Sequence, residues 1–136
     1  MSKEISTGIM ATYNATPALS GLAKMWTPWA PENQVAPFIT FVCTGGRTDG
    51  SMDPAGIAYI ERVPVQFTVF VEEWKLDNGW DIIKQLKVAY DNNLLGGTLS
   101  DGTRVIICKR MSNGLVVDQP EGGFGIVLDY EYTVQR

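Results

Sequence analysis

Tyr59-Ile60-Glu61-Arg62-Val63-Pro64-Val65-Gln66-Phe67-Thr68-Val69-Phe70-Val71-Glu72 is a fourteen-residue run with a period of two. Val63, Val65, Phe67, Val69 and Val71 take every second position, and Pro64, Gln66, Thr68 and Phe70 stand between them. Side chains alternate across a strand, so the valines and Phe67 share one face that can bury, and the other face is mixed. Pro64 lacks an N–H, which a sheet tolerates near a strand start, an edge or a bulge. The chain has no histidine and no nucleophile-base motif. Its second face therefore points to a partner rather than a substrate.

The 136 residues suffice for one domain that buries about two thirds of its unfolded surface without disulfides or a metal. Hydrophobic residues make up 45%, enough for a core. Charged residues are 19%, the net charge is -4 and no like charges cluster, which argues against a grip on nucleic-acid phosphates. Cys43 and Cys108 sit in apolar strand patterns 65 residues apart. They read as reduced core thiols, with a disulfide open only if their strands lie side by side. Lys3 is followed by Glu4, Ser6, Thr7 and Gly8, unlike a signal-peptide core, and no apolar run reaches membrane-spanning length. Synthesis in the cytoplasm is expected, and there Asn14-Ala15-Thr16 has no meaning as a glycosylation acceptor.

Ile5, Ile9, Met10 and Tyr13 recur at helical spacing in a first helix, which Gly8 weakens. Thr16-Pro17 reads as a cap and first turn of a short second helix through Leu19, Leu22 and Ala23. Residues 25–37 hold Pro28, Pro31 and Pro37 with Trp26 and Trp29, and are expected to form an irregular arm. A strand over Pro37 to Cys43 follows, then a long glycine-rich loop, 44–56, expected to be mobile. After the 59–72 strand, Asp77-Asn78-Gly79 reads as a turn capping a helix from Trp80 to Asn92. The apolar stripe of that helix is Ile82, Ile83, Leu86, Ala89 and Tyr90, and its wet side is Lys84 and Lys87. Asp101-Gly102 turns into a strand over 104–110, and Asn113-Gly114 predicts a reversal into Leu115-Val116-Val117. A last strand over 124–134 puts Phe124, Ile126, Leu128, Tyr130, Tyr132 and Val134 on one face, and Asp129, Glu131 and Thr133 on the other. The expected fold is α+β, with a mostly antiparallel sheet of four to five strands and the N-terminal and central helices packed on one face.

The order of these elements resembles a known family. Short N-terminal helices with Pro17-Ala18-Leu19-Ser20-Gly21-Leu22 lead to a proline-rich arm and a strand opened by Ala36-Pro37-Phe38. Then come a loop, Val65-Gln66-Phe67-Thr68-Val69-Phe70-Val71, an amphipathic helix and a final pair of strands ending Asp129-Tyr130-Glu131-Tyr132. Over essentially the whole chain this progression is similar to the tail terminator, or tail completion, proteins of long-tailed bacteriophages. The tryptophans of the arm and the length of the 44–56 loop depart from the family pattern. The resemblance implies a virion structural protein with no catalysis and no cofactor. It implies a homo-hexameric ring that caps the tail tube at its head-proximal end, stops polymerisation of the major tail tube protein and joins head–tail connector proteins. It also implies assembly in the host cytoplasm, no membrane, and DNA passing through the ring without being bound, past Asp129 and Glu131. Another neck component, or a small non-catalytic module binding a ligand on its sheet, is the alternative.

Sharper chemistry does not hold. Gly45 and Gly50 have phosphate-loop spacing, but Ser51 stands where the lysine belongs. Asp49 and Asp53 have few further oxygens for calcium. Glu72 or Glu73 paired with Asp129 or Glu131 would be an acid and base with no evident pocket. Trp26, Trp29 and Trp74 either pack back on the domain or anchor a partner. Contacts are expected at Trp26, Trp29, Arg47, Asp49, Glu72, Trp74, Asp129 and Glu131.

Overall fold

A computed structural model describes residues 2–44, 47–49, 60–120 and 122–135; of 2 and 47–49 only the backbone is described. The chain runs α1 (Ser2–Asn14), α2 (Pro17–Ser20), β1 (Lys24–Trp26), β2 (Phe38–Cys43), β3 (Arg47–Asp49), β4 (Ile60–Val71), a 3-10 turn (Glu73–Lys75), α3 (Leu76–Tyr90), β5 (Arg104–Arg110), β6 (Leu115–Asp118) and β7 (Phe124–Gln135). The fold is α+β, but the sheet has seven strands rather than four to five. The two that sequence reasoning missed, β1 and β3, have three residues each, too few to show a period. β1 takes Met25 and Trp26 out of the expected arm, and β3 takes Arg47–Asp49 out of the expected loop. Except for Thr44, the rest of that loop lies outside the described residues.

Two twelve-residue strands, β4 and β7, pair antiparallel along their whole length, from Ile60 with Gln135 to Val71 with Phe124. Each carries two shorter strands on its far side. β2 and β3 pair with β4, and β5 and β6 with β7, all antiparallel. Only β1, on β2, is parallel among the described strands. Asn113-Gly114 does not reverse the chain, because β5 and β6 both run along β7 in the same direction and do not pair with each other. The dipeptide is a kink, with Gly114 at φ 109. A Cβ there would come within 2.8 Å of the Trp80 ring, so the kink needs glycine for space as well as for backbone angle. Cys43 on β2 and Cys108 on β5 are separated by β4 and β7, about 14 Å apart at ordinary strand spacing, and remain free thiols.

The helices cover one face of the sheet. Val63, Val65, Phe67, Val69 and Val71 are buried, as the alternation requires, against Ile126, Leu128, Tyr130, Tyr132 and Val134 of β7. From above they meet Ile5, Ile9 and Tyr13 of α1 and Ile82, Ile83, Leu86 and Tyr90 of α3. α3 begins at Leu76, four residues before the expected Trp80, and Asp77-Asn78-Gly79 is its first turn rather than its cap. Gly79 is buried in that turn, where a Cβ would lie 2.8 Å from Ile126 Cδ1 and 3.0 Å from Val71 Cγ1. It reads as a turn signal, but its small size is what lets the helix settle on the sheet. Thr16 makes no cap bond to α2 and instead donates its hydroxyl to the Thr12 carbonyl at 2.7 Å.

Phe67 is the hub of the core aromatics. Its ring lies 4.8 Å from Tyr90, 5.8 Å from Phe41 and 5.8 Å edge-on from Tyr130. Three tyrosine hydroxyls find acceptors: Tyr13 donates to Ala23 O at 2.7 Å, Tyr90 to Ile9 O at 2.8 Å and Tyr130 to Asp91 Oδ1 at 2.6 Å. Burial pushes the titration of Tyr90, Tyr130 and Tyr132 well above the usual tyrosine range. Among the described residues, no helix is long and apolar enough to cross a membrane.

Candidate functional site

The face of the sheet away from the helices carries no helix among the described residues, and its centre is a groove. The even-numbered residues of β4 and their partners on β2 make the floor: Gln66, Thr68 and Phe70 opposite Val42, Thr40 and Phe38. Phe38 and Phe70, directly paired across the strands, stack with centroids 4.7 Å apart. The arm from Pro28 to Ala36 stands over one side. Its start is fastened by Thr27, whose hydroxyl donates to Phe41 O at 2.8 Å, and Gln34 N donates to Pro31 O within it at 3.0 Å. Glu72, Glu73 and Trp74 beyond the end of β4, with Gln119, Pro120, Gly122, Gly123 and Phe124, form the other side. The enclosed volume is about 1120 Å³.

Trp29 is 82% exposed and Trp74 78% exposed, and both line this groove. Neither packs back on its own domain. Glu32, Glu72 and Glu73 line it with no Lys or Arg among the described residues. Lys75, just beyond, sits 3.7 Å from Glu72. The groove is thus an apolar floor with an acidic, tryptophan-bearing rim.

The other expected contact residues are spread out. Trp26 ends β1 in register with Thr40 but is half-buried; its indole N–H is buried with no partner among the described residues. The backbones of Arg47 and Asp49 pair with Arg62 and Ile60, and their side chains lie outside the described residues. Asp129 and Glu131 are on the open face of β7, opposite the buried tyrosines as the alternation predicts. Asp129 accepts from Gln66 Nε2 at 3.1 Å, and Glu131 stands between Pro64 and Lys109 on the neighbouring strands.

Pairing of Glu72 with Asp129 as acid and base is not available. Asp129 lies opposite Gln66, six residues back along the strand from Glu72, which is about 20 Å of extended chain. Carboxyl pairs that share one bond-breaking step stand about 5–9.5 Å apart. Glu131, opposite Pro64, is farther still.

A second concavity of about 440 Å³ lies on the other side of the sheet, along the solvent face of α3. Trp80, Lys84, Lys87 and Val88 border it with Arg110 of β5. Asp91 accepts from Tyr130 and pairs with Arg110 at 3.3 Å, and Lys87 donates to Asn113 O at 3.1 Å. Sequence reasoning saw only the wet side of a helix here. The overlooked sign was Trp80 and Val88, one large and one β-branched apolar residue in a row that solvent should claim.

No family model matches the chain, and no curated protein matches it. Among solved structures the fold is similar to a chain in the virion of a native gene transfer agent particle, with 10% sequence identity and a TM-score of 0.65. The likeness covers 94% of this chain and 92% of that one, so it extends to the whole order of elements. At such low identity it is a likeness of fold.

Proposed function

We propose that the chain is a structural protein of a phage-like virion, working by shape and self-assembly without catalysis or cofactor. The observation that carries this is the shared fold with a virion-particle chain over nearly the full length of both. Within the virion, the role that fits the order of elements is that of the tail terminator: a ring of six subunits at the head-proximal end of the tail tube. The ring ends polymerisation of the tube protein and receives the connector of the head. A sheet face with no helix on it among the described residues, rimmed by two exposed tryptophans, supports a role in contacts, because such indoles are enriched where proteins meet.

In this reading Trp29, Glu72 and Trp74 make subunit contacts in the groove, and Trp26, Arg47 and Asp49 contribute from the β1 and β3 end of the sheet. Asp129 and Glu131 face the lumen, where carboxylates repel DNA phosphates and keep passage free of adhesion. The test is the molar mass by light scattering over a concentration series, alone and with polymerising tail tube protein. A species near 90 kDa, six times 15.0 kDa, that arrests tube growth is the expected result. A monomer that neither binds nor caps tubes would overturn the terminator role. A groove of this volume also suits a small ligand, which is the module reading; that reading predicts saturable binding by a persistent monomer.

A further inference from the structure

We infer that the ring closes through one head-to-tail contact, in which the solvent row of α3 on one copy lies in the acidic groove of the next; this rests on the ring reading above. The argument starts from two surfaces that are each incomplete in a lone chain. Trp80, Lys84 and Val88 recur every four residues and therefore form one ridge along α3. Val88 is 71% exposed, and Trp80, whose ring also covers Gly114, keeps 38% exposed. With Lys87 beside them the Lys84 to Val88 half of the ridge is apolar and cationic, while the exposed Asp81 flanks its Trp80 end.

The groove has the reciprocal character. Its floor carries the Phe38 and Phe70 stack, and its rim carries Glu32, Glu72 and Glu73; Lys75 lies 3.7 Å from Glu72, and the lining holds no Lys or Arg among the described residues. An amphipathic helix laid in an apolar groove is a standard recognition mode, read by anchors at this spacing. Charge then sets the register: carboxylates on the rim meet Lys84 and Lys87, whereas groove against groove or ridge against ridge would set like charges together. Because the ridge and the groove lie on opposite sides of the sheet, the contact joins two different surfaces. A contact of that class propagates from copy to copy and forms a ring if its rotation closes.

The experiment exchanges charges at exposed positions. One variant carries Glu32→Lys and Glu73→Lys in the groove, and the other Lys84→Glu and Val88→Glu on the ridge. Each alone brings like charges together and is expected to remain at 15.0 kDa where the unsubstituted protein is assembled, with its dissociation constant raised about tenfold or more. A 1:1 mixture is expected to recover the full mass, because each groove then meets a complementary ridge and the two variants alternate around the ring. Circular dichroism of each variant checks that it is folded. A six-fold species that survives both sets of substitutions, or a mixture of folded variants that stays monomeric, overturns this contact and leaves the ring standing. An unsubstituted protein that never assembles, with or without tail tubes, overturns the ring and the contact with it.

Discussion

Phe67 and Phe70 are three residues apart on one strand and face opposite sides of the sheet. Phe67 is fully buried, with Phe41, Tyr90 and Tyr130 around its ring. Phe70 is half-buried and stacks on Phe38 in the groove floor. The helix side of the sheet is filled from above by α1 and α3, and Tyr13, Tyr90 and Tyr130 donate to acceptors close at hand. The open side puts apolar rings beside glutamine, threonine and carboxylates, with two indoles standing in solvent. Stability lives on the first face, and the contacts proposed above on the second.

Substitutions one face apart should therefore separate folding from assembly. Phe67→Ala removes the hub of the aromatic cluster and should lower unfolding free energy by about 3–5 kcal/mol, measured in urea. High pH attacks the same face. The buried tyrosines titrate above the usual value near 10, so the unfolded chain loses its phenol protons first. Stability should hold up to about pH 10 and then fall by about 1.4 kcal/mol per pH unit for each of Tyr90, Tyr130 and Tyr132, followed by denaturant titration at stepped pH. Tyr130→Phe removes one hydrogen bond to Asp91 and should cost about 1–2 kcal/mol, with the Arg110 pair left in place. On the open face, Phe70→Ala should cost about 1 kcal/mol or less, the worth of one exposed stacked pair. Trp29→Ala should change stability by less than about 0.5 kcal/mol and yet reduce the assembled mass seen by light scattering. A Trp29 variant that assembles normally would remove the arm from the contact surface.

Much of this division can be read from the order of residues. Val63 to Val71 of β4, and Ile126, Leu128, Tyr130, Tyr132 and Val134 of β7, each keep a period of two over nine residues, long enough to define which side is buried. Ile5, Ile9 and Tyr13, and likewise Ile82, Leu86 and Tyr90, keep the helical period and identify the covering layer. The groove is not legible in the same way. Its walls come from residues 28–36, 72–74, 119–120 and 122–124, which only the fold brings together. Individual tryptophans and carboxylates could be singled out, but not their convergence, and Phe38 with Phe70 became a pair only through the β2 and β4 register. The short strands escaped because three residues carry no period. The kink at Asn113-Gly114 was misread because β7, not β6, is the partner that β5 pairs with.

The position of β7 bears on how the molecule reaches its fold. It is the last strand in the chain and one of the two in the middle of the sheet. Every one of its pairings with β4 spans a long sequence separation, from Val71 with Phe124 to Ile60 with Gln135. Loops of that size must close before the central contacts repay the entropy, a topology that slows folding relative to helical proteins of equal length. During synthesis β1 to β4 emerge first, and one whole edge of β4 waits unpaired beside the apolar flank of Phe67. The chain therefore passes through an interval in which its most adhesive strand is complete and its partner is not yet made. An unpaired apolar strand edge is open to pairing with other chains, so that interval is the one in which the chain is most exposed to aggregation.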